Sequence, residues 1–151
     1  MNKIFSPLKR DVKEIYTWGL ADPWTLGEVA NWLSKQNFLL VVGYSPQYMD
    51  LNKLRKNIEE WKNYCPHMYV GYSRNLHIKA WVKNKSIWIG SCNLVNNTHC
   101  NIMVRITGKR VLEIRKQLFQ QYTPFNLTTN LEIATTKKRF TPIISESLVL
   151  E

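Results

Sequence analysis

The chain is short of cysteine, of long apolar runs and of clustered carboxylates, and each shortage removes a class of protein. Its three cysteines, Cys65, Cys92 and Cys100, contain no CxxC pair, and an odd number cannot all close disulfides within one chain. Cys65-Pro66-His67 and His99-Cys100 do not fall at a standard zinc-ligand spacing, so no metal is expected. Buried or incidental thiols in a reducing compartment are the expectation. No apolar run approaches the roughly 20 residues that cross a bilayer. The best, residues 38–42, reads as a buried strand, so no membrane partner is expected. The amino terminus has lysine but no apolar core or small-residue cleavage site of a secretion signal, which points to the cytoplasm. No carboxylate cluster offers itself to magnesium, and no segment repeats.

What the chain does have is length, apolar content and positive charge. Its 151 residues are one domain's worth, and 44% hydrophobic content with strand and helix periodicities argues against disorder. Lysine and arginine number 21 against 11 aspartates and glutamates, a formal charge of +10. Such a balance favours a polyanionic partner, because every phosphate neutralised releases condensed counterions. Six Trp, seven Tyr and five Phe add surfaces on which unpaired bases can stack. Nucleic acid, DNA ahead of RNA, is the expected partner. The small size and the lysine- and asparagine-rich composition would suit a protein of a phage or mobile element.

Along the chain, residues 14–21 read as a first strand. Asp22-Pro23 then supplies an N-cap and a first-turn proline for a helix carrying Leu26, Val29, Ala30 and Leu33. Residues 37–44 predict a central parallel strand. Asp50 caps a second helix with Leu51, Leu54, Ile58 and Trp61 on its apolar stripe. Residues 68–72 predict a strand, 96–98 a loop, 100–107 a further strand, and 109–122 a helix with Val111, Ile114, Leu118 and Tyr122 on one side. The order predicts an α/β domain, a mixed β-sheet sandwiched by helices.

Between these lies the segment richest in chemistry. Leu76, Ile78, Ala80 and Val82 alternate with His77, Lys79, Trp81 and Lys83, so His77 and Lys79 share a strand face. Asn84-Lys85 fits a two-residue turn, and residues 86–91 return with Ile87 and Ile89 facing as Ile78 and Ala80 do. That register sets Lys79 opposite Gly90, where a glycine leaves room for a ligand near the backbone. His77-x-Lys79 followed by Gly90-Ser91-x-Asn93 resembles the signature of the phospholipase D superfamily, most closely its short single-motif nucleases. The likeness covers about residues 12–122 and implies a phospholipase D-like nuclease domain over 1–122. Residues 123–151, with the basic cluster Lys137-Lys138-Arg139 and an apolar end at 143–150, fall outside it as a C-terminal arm or tail.

The resemblance implies a metal-independent phosphodiesterase without cofactor. His77 would attack phosphorus to form a phosphohistidine, while a second histidine protonates the leaving oxygen and then activates water. Lys79 and Asn93 would donate to the non-bridging oxygens, and Ser91 would support the phosphate or orient a histidine. One chain carries one such motif, so the second set would come from a homodimer partner across a two-fold axis. Two positions depart from the family's pattern. Asn84 stands in place of an aspartate, and Cys100-Asn101 in place of a glutamate that orients the histidine. A nucleic-acid-binding protein on the same fold, with turnover weakened or lost, is therefore the alternative expectation. A lipid phosphodiesterase ranks below both, since no amphipathic membrane-binding segment is evident.

Overall fold

The run Phe38-Leu39-Leu40-Val41-Val42 settles the middle of the molecule, because a strand apolar at every position must be covered on both faces. In the computed structural model, which describes residues 3–74, 76–95, 101–122 and 127–128, this run is the strand β2 (Phe38–Gly43), buried throughout. It lies between β1 (Val12–Trp18) and β3 (Met68–Ser73), parallel to both. Beyond β1 come β4 (Lys79–Lys83), β5 (Ser86–Gly90) and β6 (Met103–Thr107), each antiparallel to its neighbour. The two-residue strand β7 (Leu127–Thr128) pairs with β3, giving the order β6-β5-β4-β1-β2-β3-β7. The expected mixed sheet of an α/β domain is present.

Helices cover both faces. On one side α1 (Pro23–Leu26), α2 (Glu28–Leu33) and α3 (Leu51–Tyr64) bring Leu26, Val29, Leu33, Leu54, Ile58 and Trp61 onto Phe38, Leu40 and Val42. On the other, α4 (Arg110–Tyr122) sets Val111 and Leu118 against Tyr16, Leu39, Val41, Ala80, Val82 and Ile87. Asp50 caps α3 as expected, its side chain accepting from the N–H groups of Asn52 and Lys53. The helix expected after Asp22 is two short ones. Gly27, at φ 52° and ψ −113°, takes a conformation that no α-helix can continue through.

Other boundaries moved. β1 starts two residues earlier than expected and ends at Trp18, since Gly19 turns the chain with φ 70°. A 3-10 helix over Lys3–Lys9, with Phe5 and Leu8 buried, was not foreseen; about two turns at three residues each, with Pro7 inside, match neither the α-helical nor the strand period. β4 begins at Lys79, so His77 precedes the strand instead of lying on it. β6 begins at Met103, and the expected 96–98 loop, His99, Cys100 and the body of the 123–151 extension lie outside the described residues. Among the described residues no helix is long and apolar enough to cross a membrane.

Candidate functional site

The registers gather the motif at one edge of the sheet. Trp18 pairs with Gly43 and Gly43 with Ser73, so the three parallel strands end level with one another. Tyr16 pairs with Ala80, which sets Lys79 beside the end of β1, and Lys79 pairs with Gly90, as the hairpin predicts. The carboxyl ends of β1, β2, β3 and β5 and the start of β4 therefore share one rim. Open α/β sheets usually bind ligands just outside the carboxyl ends of their parallel strands.

The segment leaving β5 is tied down on this rim. The Trp18 N–H donates to Asn93 Oδ1 at 2.8 Å, the Leu94 N–H to Thr17 Oγ1 at 2.9 Å, and the Ala21 N–H to the Leu94 carbonyl at 2.9 Å. The two halves of the motif thus meet through the end of β1, although Asn93 lies 75 residues from Trp18 in sequence. With Oδ1 so engaged, the Asn93 carboxamide is oriented and Nδ2 is its donating end.

His77 and Lys79 stand on the other side of this knot. Lys79 is half-buried and its Nζ donates to the His77 carbonyl at 3.3 Å. The exposed His77 ring stacks on the half-buried indole of Trp18, with centroids 6.3 Å apart and planes within 15°. Among the described residues no hydrogen bond or ion pair holds the imidazole; Trp18 is its one ring partner. Arg74, in the loop after β3, sets its guanidinium 6.0 Å from the Tyr44 ring. Burial pushes the Tyr44 phenol up, and the Arg74 charge opposes that. The rim is cationic.

Ser91 and Gly90 are both engaged by the chain that enters β6. The Ser91 hydroxyl accepts from the Ile102 N–H at 3.0 Å and lies 3.4 Å from Asn101 Oδ1, and the Ser91 N–H donates to the Ile102 carbonyl at 2.9 Å. Its hydroxyl fastens the return into β6. A Cβ on Gly90 would collide with the Ile102 carbonyl and come within 2.9 Å of Met103 Cα. Glycine is needed there for a neighbouring strand, and backbone fills the space expected to admit a ligand.

Asn84 is exposed on the hairpin turn, at the far end of β4 from Lys79. At about 3.3 Å per residue the distance is roughly 17 Å, so the side chain at position 84 cannot touch the His77 ring. His67 is likewise remote. It sits in the turn before β3, at the opposite end of that strand from the rim.

Two residues of β1, one at the rim and one deeper in the sheet, carry no motif in the sequence. Trp18 is one. The other is Glu14, fully buried on β1 and gripped by Arg115 of α4, whose Nε and terminal nitrogen donate at 3.1 Å and 2.7 Å to Oε2. Burial pushes the Glu14 carboxyl up, against the pull of Arg115. Cys65 and Cys92 are buried, the Cys65 thiol pushed up to about 12 by burial and the Cys92 thiol donating to the Asn93 carbonyl at 3.7 Å, while Cys100 lies outside the described residues. Among the described residues no three His, Cys, Asp or Glu side chains come together as a metal site.

A rim offering an amine, a carboxamide and an imidazole from two segments can hold and attack a tetrahedral anion. No family model matches this chain, and no curated protein matches it.

Proposed function

We propose that the chain is a phosphodiesterase of the phospholipase D type, a nuclease of DNA or RNA whose nucleophile is His77. The observation that carries this reading is the meeting of His77-x-Lys79 and Asn93 at the carboxyl rim, joined through the end of β1. The net charge of +10 and the cationic Arg74 and Lys79 on that rim favour a polyanion. A ring nitrogen of His77 attacks phosphorus, the bond to the leaving oxygen breaks, and a second imidazolium gives that oxygen its proton. The same imidazole then takes a proton from water, which attacks phosphorus and releases His77. Lys79 Nζ and Asn93 Nδ2 donate to the non-bridging oxygens as charge builds there. The location that fits this activity is a cytoplasm, including that of a host cell.

The second imidazole comes from a second copy of the chain. His67 lies at the wrong end of β3, and His99 is outside the described residues. Among the described residues β6 is an edge strand, and its rim end exposes apolar side chains: Ile102 just before the strand is 66% exposed and Val104 on it 57%. Ile102 is the residue fastened to Ser91, so this apolar surface begins where the motif ends. A copy docked there by a two-fold axis would bring its rim alongside.

One observation favours the alternative, a nucleic-acid-binding protein without turnover: no described side chain holds the His77 ring by a hydrogen bond. Purified protein and His77→Ala, each incubated with labelled single- and double-stranded DNA and RNA in EDTA, separate the two. Cleavage that survives the chelator and vanishes in His77→Ala is the expected outcome. Binding without cleavage by either protein would establish the alternative.

A further inference from the structure

We propose that Trp18 is the positioning residue for His77, setting the plane of the imidazole for attack; this rests on the reading of His77 as nucleophile. An imidazole without a hydrogen-bonded ring nitrogen is free to turn about its outer side-chain bond. A nucleophilic nitrogen must instead be aimed along one line, since misplacement by about 1 Å can cost roughly a hundredfold in rate. The Trp18 indole supplies the missing constraint. Its plane lies within 15° of the imidazole at 6.3 Å between centroids, inside the offset-stacked range. An indole face also tolerates the imidazolium form by cation–π attraction, so the contact survives both protonation states.

Trp18 is itself held in three ways. Its backbone N–H donates to Asn93, it ends the central strand β1, and its ring lies across Gly43. A Cβ at position 43 would come within 2.9 Å of Trp18 Cε3 and 3.0 Å of Leu76, the residue just before His77. The absence of a side chain on Gly43 lets both segments pack over β2. One residue thus couples the carboxamide to the imidazole: the backbone of Trp18 fixes Asn93, and its ring fixes His77.

The test compares wild type with Trp18→Phe, Trp18→Leu and Gly43→Ala by NMR of the histidine ring protons, assigned through His77→Ala, alongside cleavage kinetics. In wild type the His77 ring protons are displaced by the indole ring current. Trp18→Leu abolishes the displacement, Trp18→Phe keeps part of it, and Gly43→Ala changes it without touching either ring chemically. The kcat of Trp18→Leu falls roughly ten- to hundredfold with little change in KM, and Trp18→Phe recovers part of the loss. His77 resonances that are identical in wild type and Trp18→Leu overturn the proposal. So does undiminished kcat in a folded Trp18→Leu. Should Trp18→Leu fail to fold, the resonances of Trp18→Phe and Gly43→Ala decide. If every protein including wild type fails to cleave while the ring-current pattern holds, the hydrolase reading falls and the positioning contact stands.

Discussion

Asp22 closes the first turn of α1 with Oδ1 accepting from the Thr25 N–H at 2.8 Å and Oδ2 from the Thr25 hydroxyl at 2.9 Å. The Thr25 N–H holds the carboxyl below its ordinary value of 3.8, because the ionised oxygen is the better acceptor. A carboxylate with a depressed folded value stabilises the protein above the unfolded value, and that contribution is lost as pH falls through the folded one. Asp22→Ala should therefore cost about 1 kcal/mol near neutrality. In urea titrations the gap between variant and wild type should close as pH drops below 3.8. A gap constant with pH would deny Asp22 its capping role. This residue was legible in the sequence, since a cap needs only neighbours three positions away. Trp18 was not, because its partners His77 and Asn93 are 59 and 75 positions distant and meet it only once the sheet is assembled. Ser91 and Gly90 stand out as a motif, but the Ile102 backbone that meets them belongs to the segment entering another strand.

Local apolar patterns located the elements well wherever a single face decided the matter. The hairpin register Lys79 to Gly90, the cap of α3 and the burial of β2 all follow from alternation, a turn dipeptide or an unbroken apolar run. The anchoring of α4 was hidden. Its apolar stripe places Val111 and Leu118 on the sheet, yet Arg115 on the same helix reaches Glu14 on β1 across 101 positions. Arg115→Leu leaves a fully buried carboxylate without its partner, which should cost about 3–5 kcal/mol. Replacing both residues by leucine should cost far less, since no buried charge then remains. The pH dependence has a definite sign. A carboxyl raised above its ordinary 4.5 binds its proton more readily folded than unfolded, so ionisation weakens the fold as pH climbs through that window. Without Arg115 the rise is larger, and the destabilisation measured by urea unfolding should shrink as pH is lowered toward 4.5. Equal losses in the single and double variants would mean that α4 is held by its apolar stripe alone.

At the scale of the whole molecule, the proposed shared site requires a protein of charge +10 to bring two copies of a cationic rim together. Like charges repel, so such association must come from apolar burial, and the exposed Ile102 and Val104 beside the rim are the surface available for it. A polyanion between the two rims would neutralise them and tighten the pair. Val104→Asp puts a charge into that surface without touching His77, Lys79 or Asn93. Sedimentation should show a dimer for wild type and a monomer for Val104→Asp, with cleavage lost in the monomer. A monomeric wild type that cleaves would end the shared-site scheme. Co-folding wild type with His77→Ala separates sharing from mere proximity. If each site needs an imidazole from both chains, an equal mixture retains about one quarter of the wild-type activity, against about one half if each chain works alone. The quarter is expected, because in a mixed pair either the nucleophile or the proton donor to the leaving oxygen is missing.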